Sequence, residues 1–282
     1  MLFRSQLLEL VRAAAKPNGP EWLDQALDKI RDGGDISVLF PAVGRKLGHG
    51  PLSAPADVQL SGASLAAWRV DDGGRALLLG ALQESRPDAF VQTTMDLYYR
   101  GDAGEKVGVL RGVAVYGNDA ELLPVVLDAL RTNQGTIFEA ALCENPYTSK
   151  YLPDLEFRKN VLKAVFVGMS IRRIIGLTER AGAELTSSMI DYIEEREAAG
   201  RSVLPELWPV IALYPPAGAV GKIIGYLEHP DAAHRMACAE ALAIVIAAGD
   251  RSPMSFLQSR AEREPDDGVK DALNAALARC KA

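Results

Sequence analysis

Histidine and cysteine each occur only three times in 282 residues, and neither is arranged for chemistry. His229 and His234 are five positions apart with Pro230 between them, not the four that put two imidazoles on one helix face. With Asp231 they read as a capped helix start. Cys143, Cys238 and Cys280 form no C-x-x-C pair, so neither a zinc site nor a disulfide framework is expected, and a reducing compartment follows. Cys143 has no histidine near it in sequence to serve as a base. Aromatic residues make up only 6% of the chain. The longest apolar run, Ala241 to Gly249, is far short of the roughly 20 residues that span a bilayer. Glu9 and Arg12 interrupt the apolar N-terminal stretch, so no leader and no transmembrane segment are expected and the chain reads as cytoplasmic. No basic stripe accompanies the net charge of −6, which argues against a nucleic-acid partner. The glycine pairs Gly33-Gly34 and Gly73-Gly74, and the segment Gly218 to Gly225, match no phosphate-cradling loop or dinucleotide fingerprint. No cofactor and no metal are expected.

What remains is a chain 48% hydrophobic and 24% charged, rich in the alanine and leucine that favour helix. Leu2, Phe3, Leu7, Leu8 and Val11 recur at helical spacing, as do Trp22, Leu23, Leu27 and Ile30. Residues 48–64, with Pro51, Pro55 and several glycines and serines, read as a loop. Helices are expected at 75–82, 88–99, 102–115 and 119–132. Further helices are expected at 154–168, 171–181, 184–199, 205–213, 218–228, 231–248, 253–264 and 267–280. Many begin at an aspartate able to accept from free N–H groups. Val107, Val109, Arg111, Val113 and Val115 alternate as in a strand, yet no neighbouring segment offers a partner, so helix is expected there too. Asp231, Arg235 and Ala241-Leu242 recur 35 positions later as Asp266, Lys270 and Ala276-Leu277, the kind of period stacked two-helix units produce. The expected fold is all-α: stacked antiparallel helix pairs in a HEAT-like α-solenoid. The expected divisions are N-terminal helices and loop (1–64), a helical core (65–214) and C-terminal helix pairs (215–282).

The most informative polar element is Asn145-Pro146-Tyr147. Proline pushes Asn145 out of helical geometry, freeing its amide to cap a helix or hold a ligand. With Lys163, Arg173 and Arg180 these residues make a candidate binding set: Asn145, Tyr147, Lys163, Arg173 and Arg180. A second candidate set is acid–base: Asp191, Glu194 and Glu195 fall within one helical turn and could act as base or cation ligand. A solvated, partly neutralised face is the plainer reading of those three.

The segments D-D-G-G-R-A-L-L-L, L-R-T-N-Q-G-T-I-F-E-A-A-L-C-E-N-P-Y, V-L-K-A-V-F-V-G, D-Y-I-E-E-R-E-A-A-G-R and P-E-L-W resemble the EboA family over about residues 70 to 210. Where that family has N-P-Y-P and F-N-Q, this chain has Asn145-Pro146-Tyr147-Thr148 and Phe157-Arg158-Lys159. The resemblance implies a bacterial small-metabolite pathway, the ebo cluster, whose other members look like a metal-dependent hydrolase, a membrane prenyltransferase, a sugar-phosphate-cyclase relative and barrel enzymes. It further implies a link to export of a scytonemin precursor. It carries over no catalytic residue. The function expected is therefore a non-enzymatic scaffold or binding protein for other ebo-cluster proteins or a small, partly anionic metabolite. The alternatives are an enzyme acting on the pathway intermediate with the clustered carboxylates, and a membrane-peripheral adaptor for the prenyltransferase presenting Leu2 to Val11.

Overall fold

The computed structural model describes residues 2–53, 59–60 and 62–280. The chain forms two compact units, residues 1–153 with 173–175, and residues 154–172 with 176–282. Both are helical. The only strand pairing among the described residues is a two-residue hairpin with a nearby bridge, Pro51 to Arg69.

The first unit runs through α1 (Leu2–Ala14), α2 (Gly19–Arg31), α3 (Ile36–Leu39), α4 (Val43–Leu47), β1 (Gln59–Leu60) and β2 (Ala63–Ser64). It continues with α5 (Val70–Ser85), α6 (Pro87–Arg100), α7 (Ala103–Tyr116), α8 (Leu123–Arg131), α9 (Gly135–Leu142) and α10 (Pro146–Tyr151). The segment expected to be loop thus contains the hairpin, while its residues 54–58 and 61, including Pro55 and Ser61, lie outside the described residues.

Helix α5 is the axis of this unit. Every residue from Val70 to Leu82 is buried, and α1, α2, α4, α6 and α7 pack around it. Leu7 and Val11 are fully buried, so that part of the first apolar stripe faces the core. Helix α7 is buried from Gly108 to Tyr116, which is why its valines sit on more than one face of one helix rather than on one side of a strand. Glycine sets how closely α5 and α7 approach. A Cβ on Gly108 would lie 2.3 Å from Arg75 Cδ. Each of the fully buried side chains Leu77, Leu79, Val109 and Leu110 contributes about 1.5–3 kcal/mol by leaving water.

The second unit holds α11 (Asp154–Phe166), α12 (Leu177–Arg180), α13 (Ala183–Ala198), α14 (Leu207–Ile211), α15 (Ala219–Tyr226), α16 (Ala232–Ala247), α17 (Met254–Arg263) and α18 (Asp267–Arg279). The single helix expected over 171–181 is instead a 3-10 turn at Ile171–Arg173 and the short α12. Gly176, at φ 78°, interrupts it with a left-handed conformation that an α-helix does not contain. Helix α16 packs against α14, α15, α17 and α18. Asp231 and Asp266, the two repeat-related aspartates, accept from Ala233 N and Val269 N at the starts of α16 and α18. Glu264, its side chain fully buried, is held by Arg235 and Arg260.

Candidate functional site

The Asn145 corner is made locally. Helix α9 stops at Leu142, Cys143 is extended, and Glu144 takes φ 51°, a left-handed conformation unusual for a residue with a side chain. Asn145 then caps α10: its Oδ1 accepts from Thr148 N at 3.3 Å while its Nδ2 donates to Ala140 O at 3.1 Å. Thr148 Oγ1 donates to Ala141 O at 2.5 Å. Tyr147 donates its hydroxyl proton to Asp119 O at 2.8 Å. Its phenol is pushed above its ordinary pKa by burial and by its neighbours Tyr151 and Asp119. Both ends of the Asn145 amide are therefore engaged with backbone, and Asn145 and Tyr147 are buried in the frame of the corner.

What the corner carries is Glu144. Arg173 grips it through Nε to Oε1 at 2.7 Å and Nη2 to Oε2 at 2.9 Å, and reaches Glu139 Oε1 at 2.5 Å. The backbone adds a bond from Glu144 N to Arg173 O at 2.7 Å. Its hydrogen bonds to Glu144, outweighing burial, hold the Arg173 guanidinium above its ordinary pKa.

Beside this clamp lies a pocket of about 240 Å³ lined by Arg69, Asp72, Val107, Arg111, Thr136 and Glu139, with Ala67, Ala103 and Gly104 completing its wall. Arg111 is 3% exposed, and its Nε and Nη1 are buried without a hydrogen bond. Its ion-pair contact is Glu144 Oε2, 3.7 Å from Nη1, beyond hydrogen-bonding distance. Burial lowers the Arg111 pKa, against the opposing pull of Asp72, Glu144 and Glu139. Asp72, 3% exposed, accepts from Arg69 N at 2.9 Å, the return half of a capping box at the start of α5. Burial raises its pKa; the hydrogen bond from Arg69 opposes this and Asp71 reinforces it. Asp71 is engaged elsewhere, with Arg75 at 2.8 Å, His49 at 3.0 Å and Arg69 at 3.2 Å.

Arg111 and Asp72 carry a signal the sequence reading passed over. Arg111 is the lone cation deep in V-G-V-L-R-G-V-A-V, a run too apolar for a solvent-facing arginine. Asp72 belongs to D-D-G-G-R, where two acids fall in the first turn of a buried helix.

The other candidates lie in the second unit. Lys163 is half-buried, and burial lowers its pKa. Arg180 donates from Nη2 to Asp154 Oδ1 at 2.6 Å and stacks over Phe157 at 4.1 Å. Asp191, Glu194 and Glu195 are all exposed, and none lines the pocket just described or the larger cavity of the second unit. That cavity, about 550 Å³, is walled by alanines of α16 and α18 with Met236, and at its edge Arg172 pairs with Glu240 at 3.0 Å. Among the described residues no group of three His, Cys, Asp or Glu is placed to hold a metal ion. His234 accepts from Trp208 Nε1 at 3.0 Å on Nδ1, inside an aromatic cluster with Tyr226 and His229.

These features define an all-α protein with a small pocket lined by charged side chains in its first unit. The chain belongs to the EboA family: the family described as "metabolite traffic protein EboA" matches residues 3–212. That span takes in the first unit from residue 3 onward and leaves the last helices of the second outside the match. No match emerged among curated proteins or solved structures. No helix among the described residues is long and apolar enough to cross a membrane.

Proposed function

We propose that this chain is a non-enzymatic binding protein of the ebo pathway that holds a small, partly anionic metabolite in the pocket beside Arg111. A buried guanidinium that lines a small pocket, with two of its N–H groups lacking a hydrogen bond, carries the reading. Leaving such groups unsatisfied costs about 1–3 kcal/mol, and an anion against the guanidinium would offset part of that. The family description, metabolite traffic, supports a role in holding or handing over a small molecule. Within the candidate binding set, Arg173 acts by fixing Glu139 on the pocket wall and Glu144 beside it, and Asn145 and Tyr147 act by building the corner that carries Glu144. The clustered carboxylates Asp191, Glu194 and Glu195 are solvent-facing and serve solubility in this reading.

Immobilised protein incubated with the other cluster proteins and with pathway extracts tests the reading. Retention of a defined intermediate, or of one cluster protein, supports it. An empty column under conditions where the chain is folded removes it.

A further inference from the structure

The charges around the pocket pair off unevenly. Four carboxylates (Asp71, Asp72, Glu139, Glu144) and four guanidinium groups (Arg69, Arg75, Arg111, Arg173) lie in one cluster, so its formal charge is zero. Of the charged groups that line the pocket, Glu139 is paired with Arg173 and Arg69 with Asp71. That leaves Arg111 and Asp72, which both line the pocket and do not pair directly with one another. We propose that the pocket takes a small carboxylate together with one proton, the anion lying against Arg111 and the proton residing on Asp72. The inference rests on the binding function proposed above and names the ligand's chemistry.

Three observations select this chemistry. First, Arg111 lines the pocket with a guanidinium that has donors only, so it calls for ligand oxygens that accept, and an anion suits a buried cation best. Second, the cavity, at about 240 Å³, is smaller than the roughly 300–1,000 Å³ typical of drug-sized sites, so the ligand is small. Third, the cluster is neutral before loading, so each added negative charge needs compensation in a site of low polarity. One acid is placed to give it. Asp72 faces Asp71 on its own helix, Arg69 at the helix start, Arg111 on α7 and Glu139 on α9, and burial already favours its neutral form. One proton compensates a carboxylate, whereas a phosphate monoester brings about −1.5 to −2 near neutral pH and overfills the site.

The test titrates the full chain with hexanoate, hexan-1-ol, hexylamine and inorganic phosphate, followed by saturation-transfer NMR and thermal shift. Hexanoate should bind saturably, at least about tenfold tighter than the length-matched alcohol or amine and tighter than phosphate. Its affinity should fall as pH rises from about 5.5 to about 8, because binding takes up a proton. The Asp72→Asn variant keeps an acceptor for Arg69 N. It should bind hexanoate about tenfold tighter at the upper pH and lose the pH dependence, a gain that unfolding cannot mimic. Arg111→Met should abolish binding. The proposal is overturned if alcohol and carboxylate bind alike, if the amine or phosphate is preferred, or if Asp72→Asn brings no tightening. Binding of alcohol or amine in place of hexanoate would leave the pocket a metabolite site and remove only the carboxylate; silence from all four probes would remove both.

Discussion

Arg173 and Glu144 form a two-pronged bond, Nε to Oε1 at 2.7 Å and Nη2 to Oε2 at 2.9 Å, around a glutamate whose backbone is left-handed at φ 51°. The side-chain clamp and the Glu144 N to Arg173 O bond together hold a conformation that costs on the order of 1 kcal/mol by itself. Lysine cannot reproduce the planar fork. Arg173→Lys should therefore destabilise the first unit by about 2 kcal/mol and raise hydrogen exchange in α9 and α10. Unchanged exchange there would show that the clamp does not hold the corner.

The contact between α5 and α7 predicts a steric effect. A Cβ on Gly108 meets Arg75 at 2.3 Å, and Arg75 is itself fixed on Asp71 at 2.8 Å. Gly108→Ala should lower the melting temperature despite alanine's better helix propensity, by about 1–3 kcal/mol of overpacking. A rise in melting temperature would mean that the two helices part freely.

In the second unit, Glu264 accepts from Arg235 at 2.8 and 3.0 Å and from Arg260 at 2.6 and 2.8 Å. Burial alone would raise its pKa, but the hydrogen bonds from Arg235 and Arg260 outweigh it and bring it down from 4.5 to about 2. A folded-state pKa below the unfolded one means stability that is present above 4.5 and lost as pH falls from 4.5 towards about 2. Hydrogen exchange in α16 to α18 should accelerate across that window. The Glu264→Gln variant should be less stable at neutral pH by about 3 kcal/mol and lose that part of the acid dependence.

The thiols differ in exposure. Burial pushes the Cys143 thiol up to about 11, and it raises Cys238 as well, whereas Cys280 is only half-buried. Alkylation of native protein near neutral pH should label Cys280 first, read by peptide mass spectrometry. Early labelling of Cys143 would mean that the corner opens.

The helices were legible because their cues are local. Apolar spacing marked α2, and aspartates at 102 and 231 marked two helix starts that the structure caps as expected. The hairpin was not legible, since its two-residue strands give no alternation to read. The break at Gly176 was missed because an isolated glycine marks a stop only when its φ is known. Of the corner, Asn145-Pro146-Tyr147 stood out because proline constrains its neighbour, yet what surrounds Asn145 is backbone. The pocket was illegible for a different reason. Asp72, Arg111 and Glu139 come from three helices far apart in sequence, and only folding shows which buried charges find partners and which do not.

The most direct measurement is mass spectrometry of small molecules released by denaturing the protein after purification from cells that express it with the rest of its cluster. The account predicts a small acid in near-stoichiometric amount from the unmodified chain and none from folded Arg111→Met. The same molecule at the same level in both, or none from either, would contradict it.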